Sequence, residues 1–263
     1  MKRIFILIFV LLPALVVSSC SFIGEDSASG SGVTSDGGTG NGGSSAIFDG
    51  KIVSVSEGFV LMAGSGSTAG LVTVSVSGKD LEDAEGNALS AGDLTAGMTV
   101  SIAYGGQIME SYPMQLGTPA KITVTGVEDD IVGFWMTVIN DLWEVDPGLN
   151  SNISVIALDL TEAQNLSDGE KEAIVYLAGN EFGVQGISGT FDELCDMGYI
   201  DRDNLYFESG ILVTLEVTGT GDGSFTFNAE KWRSGLGAYF YSDCTAIKGS
   251  SGWSYTVGSE AIS

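Results

Sequence analysis

A chain of 263 residues with 10 basic and 34 acidic residues carries a formal charge of −24, which argues against nucleic acid or anionic lipid headgroups as partners, since both require a cationic face. The chain has no histidine, and this excludes Ser-His-Asp and Cys-His catalysis and every His-ligated zinc or copper site. Hydrophobic residues at 44% suffice for one large core or two small ones.

The chain opens Met1-Lys2-Arg3, runs apolar from Ile4 to Val17 with only Pro13 interrupting, and reaches Val17-Ser18-Ser19-Cys20. A cationic start, a short apolar stretch and small residues before a cut are the layout of a secretory signal peptide, expected over residues 1–19. The apolar run is shorter than the ~20 residues a transmembrane helix needs. Small residues directly before a cysteine resemble the lipobox read by bacterial lipoprotein processing. The resemblance implies cleavage before Cys20, diacylation of that residue, and a protein anchored to the cell membrane by lipid, facing away from the cytoplasm. Two acyl chains on one residue suffice for stable anchoring. The other reading is an ordinary signal peptide with a chance cysteine. Loss of Lys2 and Arg3 would leave 8 basic against 34 acidic residues, a charge of −26. Gly24 to Ser45 is mostly glycine and serine without apolar periodicity, so residues 20–45 are expected to form the lipidated cysteine and a flexible tether.

Residues 46–126 carry strand signals. Ile52, Val53 and Val55 lead to Gly58 and then Phe59-Val60-Leu61-Met62. Val72, Val74 and Val76 alternate, as do Val100, Ile102 and Tyr104, and Ile122 with Val124 closes the segment. Turn residues at Gly64–Gly70 and Glu85-Gly86-Asn87 separate the strands. Short strands so divided suit a small all-β barrel of the oligonucleotide/oligosaccharide-binding (OB) type. Gly50-Lys51-Ile52, Gly97-Met98-Thr99-Val100, Glu110-Ser111-Tyr112-Pro113-Met114-Gln115 and Lys121-Ile122 resemble the YobA-like domain found in lipoproteins of Firmicutes. The resemblance covers residues 47–125 and implies an OB-like barrel, with no known activity. Met114 departs from it, standing where a smaller residue is expected.

Residues 127–263 read as a second domain of the α+β class, with helices on an antiparallel meander. Ile131, Phe134, Trp135, Val138, Ile139, Leu142 and Trp143 share one helical face, and Asp146-Pro147-Gly148 stops the helix. A strand is expected over Ile153–Leu158. Ser167/Glu170 and Thr190/Glu193 have capping-box spacing, opening a helix that carries Ala173, Ile174, Leu177 and Ala178, and a shorter one ended by Gly198. Alternation at Ile211–Val217, Phe225–Ala229, Tyr239–Tyr241 and Trp253–Val257 then gives strands. The stretch from Lys231 to Ala238, with Asp243-Cys244-Thr245 and Ile262-Ser263, resembles domains of uncharacterised clostridial surface lipoproteins and implies no activity.

Three groups could carry chemistry. Lys231, Trp232 and Arg233 place two of the few cations around a tryptophan, which suits an anionic or sugar ligand. The first of the two readings the residues allow is a strand end with the cations paired to the abundant carboxylates and Trp232 turned inward. Asp201, Asp203, Asn204 and Glu208 crowd one loop and could offer calcium hard oxygens, although the spacing lacks the features of an EF-hand and a solvated acidic turn explains it too. Cys195 and Cys244 could form a disulfide in an oxidising compartment or remain buried thiols. No nucleotide-binding glycine loop occurs, and no cofactor is implied. These readings point to a surface lipoprotein that binds another envelope or extracellular component, a protein or a glycan. The alternative is a cell-wall or glycan hydrolase using paired carboxylates; a spacer or inhibitor is a third reading.

Overall fold

A computed structural model describes residues 46–66 and 70–263. The expected signal peptide, Cys20 and the tether lie outside the described residues. The described residues belong to one compact unit, which is rich in β-structure.

The first sheet contains β1 (Ala46–Ser56), β2 (Phe59–Gly64), β3 (Gly70–Ser75), β4 (Leu81–Glu82), β5 (Ala88–Leu89), β6 (Met98–Tyr104), β7 (Ile108–Met109), β8 (Met114–Leu116) and β9 (Pro119–Val127). They lie in the order β5-β4-β9-β6-β1-β2-β3-β8-β7. β1 pairs antiparallel with β6 through its first half and with β2 through its second, and a register shift between Ile52 and Ser54 lets it bend. One face of the sheet buries Phe48, Ile52, Val60, Met62, Val72, Val74, Val100, Ile102 and Ile122 in a first core. β2 and β3 are apolar on both faces for a reason: Leu61, Ala63 and Leu71 point the other way, with Val53, into a second core. A strand covered on both faces reads as a continuous apolar run rather than an alternation.

That second core belongs mainly to the remaining elements. α1 (Ile131–Glu144) is capped by Asp130, whose carboxylate accepts from the Gly133 N–H at 2.8 Å. Its stripe of Ile131, Phe134, Trp135, Val138, Ile139 and Leu142 is buried, as the spacing predicts. β10 (Val155–Asp159) leads to α2 (Asp168–Phe182), β11 (Gln185–Ser188), the short α3 (Phe191–Asp196), and then β12 (Gly210–Gly221), β13 (Ser224–Ser234), β14 (Gly237–Gly249), β15 (Gly252–Thr256) and β16 (Ser259–Ile262). Both capping boxes form, at Ser167/Glu170 and Thr190/Glu193.

β12 to β15 are the expected antiparallel meander. The expectation needs correcting at the other side of this sheet, where β10 runs parallel to both β11 and β12. The reason is α2, which returns the chain to the starting end of β10, so the next strand must run parallel. β11 has no apolar alternation to announce it. Its place is set by contact with α2 instead: a side chain at Gly186 would meet the Val175 carbonyl oxygen at 2.2 Å, and one at Gly179 the Gly186 nitrogen at 2.7 Å. No helix among the described residues is long and apolar enough to cross a membrane.

Candidate functional site

The residues that stood out in the sequence are mostly consumed by the fold. Lys231 and Trp232 are neighbours on β13 and so project from opposite faces. Lys231 is fully buried. Its Nζ donates to the carbonyls of Trp143 and Asp146 and to the Asn150 side chain, each at 3.3 Å, and to the Val145 carbonyl. It thus satisfies carbonyls left open where α1 ends, with positive charge at the negative end of the helix. Burial pulls its pKa down to about 8, against the charges of Asp146 and Glu144. Arg233 donates to the carbonyls of Leu149 and Ser151 at 2.7 Å and of Glu208 at 3.1 Å. Trp232 packs edge-on against Phe191 with centroids 5.2 Å apart. The expected ligand patch is therefore corrected to a clamp on the 146–151 loop, in which Lys231 is buried and the half-buried Arg233 spends its guanidinium on backbone carbonyls.

The acidic loop forms a turn, one of the two readings its sequence allows. The Asp201 carboxylate accepts from the backbone N–H groups of Asp203 and Asn204 at 3.0 Å and from the Asn204 amide at 2.7 Å. It is a turn-former rather than a ligand, and Glu208 enters the local network through its backbone carbonyl. No group of acidic or sulfur side chains able to hold a metal occurs among the described residues. Cys195 and Cys244 are both free. Cys244 lies in the core beneath the helices, Cys195 against a separate cluster with Val155, Leu194 and Phe207. Alternate residues of β10 and β12 feed these two clusters, so the sheet itself stands between the sulfurs and a bridge is ruled out.

The structure instead brings together residues far apart in sequence, along the seam between the first sheet and α2. The first turn of α2 approaches β2 so closely that a side chain at Gly169 would meet the Gly64 carbonyl oxygen at 3.2 Å. Lys51, from β1, crosses the seam to Glu170 at 2.8 Å and also reaches Glu128 at 3.3 Å. Glu170 simultaneously accepts from the Ser167 backbone and hydroxyl at 2.9 Å. Burial pushes the Glu170 carboxyl up, but hydrogen bonds from Lys51 and Ser167 outweigh it and hold the group below its ordinary range.

Two cavities flank this ion pair and share Lys51, Glu128 and Glu170 as a common wall. The first, of about 570 Å³, lies between the Gly50 and Gly64 backbone and the start of α2. The second, of about 730 Å³, lies beside the β12–β13 hairpin, Asn165, Lys248 and Trp253. Lys248 is paired there with Asp129. Asn165 and Trp253 both line this cavity, but Asn165 Nδ2 and Trp253 Nε1 are themselves closed off from solvent and have no hydrogen-bond partner among the described residues. The orientation of Asn165 is fixed, because the Trp135 indole N–H can only donate and does so to Asn165 Oδ1 at 3.3 Å. The amide nitrogen is therefore the end left over. Trp253 packs its ring on Phe225 and Phe134, with centroids 5.1 and 6.0 Å away, which leaves the indole N–H as its polar contribution.

Neither Asn165 nor the N–H of Trp253 is marked in the sequence. Trp253 reads only as one more residue of an alternating strand, and an unmet donor is visible only once its surroundings are known. No protein-family model, curated protein or solved structure matches the chain.

Proposed function

We propose that the protein is a surface lipoprotein, held on the cell membrane by lipid on Cys20, whose folded part is a binding module for an envelope or extracellular component. The observation that carries this reading is the pair of cavities along the seam, of about 570 and 730 Å³, which share a wall of Lys51, Glu128 and Glu170. A concave seam of ligand size with a few convergent polar groups suits a binding site. A hydrolase would need a carboxyl held high at the cleft to act as the acid. Glu170 is held low instead, and Glu230, which burial pushes up, lines neither cavity.

We read residues 46–126 as an OB-like barrel domain, YobA-like in residues 47–125, and 127–263 as an α+β domain docked on it. The support is the strand order: β9 and β8 lie near opposite ends of the first sheet yet are consecutive in the chain, separated only by Gly117 and Thr118. Joining them curls the sheet towards closure.

The reading is tested by melting the full chain with cell-wall fragments, glycans, peptides and divalent ions in turn. A ligand at a hundred times its dissociation constant adds about 2.7 kcal/mol of stability, so one class should raise the melting temperature clearly. No rise with any class would remove the binding reading. The anchor is tested separately: Cys20→Ala should leave the membrane fraction and lose labelled palmitate.

A further inference from the structure

The sheet of β10 to β16 ends in an open edge. β15 and β16 both pair with β14, against its residues 245–249 and 239–242, and only Val257 and Gly258 separate them. They make one bent edge from Gly252 to Ile262, and no strand among the described residues pairs with its outer side. An edge strand offers a row of open N–H and C=O groups, which monomeric proteins guard with lysines, prolines, bulges or a covering segment. The stretch from Ser251 to Ser263 has no lysine, arginine or proline. Its one charged residue, Glu260, is turned back onto the sheet, where it accepts from the Tyr239 hydroxyl. The bend at Gly258 leaves halves of five and four residues, still within the usual length of a paired strand.

β16 gains little from the fold around it. All four of its residues are exposed, Ile262 by 66%, so it buries no apolar side chain. It rests on the β14 ladder and the Tyr239–Glu260 contact. A strand held from one side without an apolar face is marginal, and a strand on its open side would complete its hydrogen bonds. We propose that this edge pairs antiparallel with the same edge of a second copy of this chain, joining two sheets into one about a twofold axis. Self-pairing suits these residues. A twofold sets the strand against itself, so no charge can stand opposite its own copy without cost, and every register not centred on Glu260 meets that condition. Opposing the contact is repulsion between two chains of −24 each, which salt screens. The pairing should therefore strengthen as salt is added. It needs neither seam cavity and no ligand, so it stands apart from the binding reading above.

The experiment is copper-phenanthroline crosslinking of the full chain with cysteines placed one at a time on the edge, Ser254→Cys, Ser259→Cys and Ala261→Cys. Ala84→Cys, in a turn of the first sheet, measures chance collision, and the parent measures the native thiols. All of these side chains are exposed, so each variant should melt like its parent. Residues opposite each other on antiparallel strands stand close enough for a disulfide. At least one edge position should give several-fold more linked dimer than Ala84→Cys, and more at high salt than at low. Thr256→Lys places a charge in the edge and should abolish that crosslink. Thr226→Lys makes the same charge change on the inner strand β13 and should leave it intact. No edge position above Ala84→Cys, or a crosslink that survives Thr256→Lys, overturns the proposal. So does a crosslink that weakens as salt rises, because opposite charges would then be holding the copies together.

Discussion

Lys231 shows how the same residue can look like a site in one dimension and be a structural cation in three. Beside Trp232 and Arg233 it resembles half of an anion cradle. In the fold its ammonium meets the carbonyls where α1 ends, and Arg233 meets those of Leu149 and Ser151. Truncation then opens buried acceptors rather than a binding pocket. Lys231→Met and Arg233→Ala should each lower stability by about 1–3 kcal/mol, measured by denaturant unfolding. An Arg233→Ala protein that melts like its parent would return the residue to the surface and revive the ligand-patch reading.

At the scale of elements, α2 shows a local signal recruited for a longer-range task. The Ser167/Glu170 capping box is legible from spacing alone, and it forms. Spacing does not reveal that the second oxygen of Glu170 faces Lys51, 119 residues away in sequence, because that depends on Gly169 letting α2 press against β2. The consequence is a pH dependence with a definite sign. Since the folded pKa of Glu170 lies below its ordinary value of about 4.3, the unfolded chain binds more protons in the window between the two. The contribution is fully present above that ordinary value and is lost as pH falls through the folded pKa. Glu170→Gln keeps the box, since glutamine caps as glutamate does, but gives up the charge. The fall in unfolding free energy from pH 7 to pH 3.5 should therefore be smaller in the variant. Identical falls would mean that Lys51 and Glu170 are not coupled in solution.

At the scale of the molecule, the second sheet acts as a partition. Its face under α1 and α2 holds Cys244 in the main core, and its other face, under α3, holds the smaller cluster beside Cys195. Burial also pushes the Cys244 thiol up, which makes it a poor nucleophile. Iodoacetamide should therefore modify Cys195 but spare Cys244 in the native protein, and modify both in denaturant without any reductant. A need for reduction would contradict the separation of the sulfurs. The first sheet is tied to this same core by Val53, Leu61, Ala63 and Leu71, which places the seam cavities between parts that share buried surface rather than across a free linker.

The sequence by itself determined what depends on near neighbours: the stripe and stop of α1, both capping boxes, and the alternating strands of the meander. It also excluded histidine chemistry, because an absent residue type needs no structure to interpret. The tertiary structure alone decided what depends on distant contacts. It set the parallel placement of β11, buried Lys231 and tied Arg233 to backbone carbonyls, and kept Cys195 and Cys244 on opposite faces of a sheet. Asn165 and Trp253 belong to the same group, since a donor becomes conspicuous only when every atom around it is known and none accepts from it. Periodicity and capping act within a few residues of chain, whereas burial and hydrogen-bond satisfaction are properties of a neighbourhood that the chain assembles only on folding.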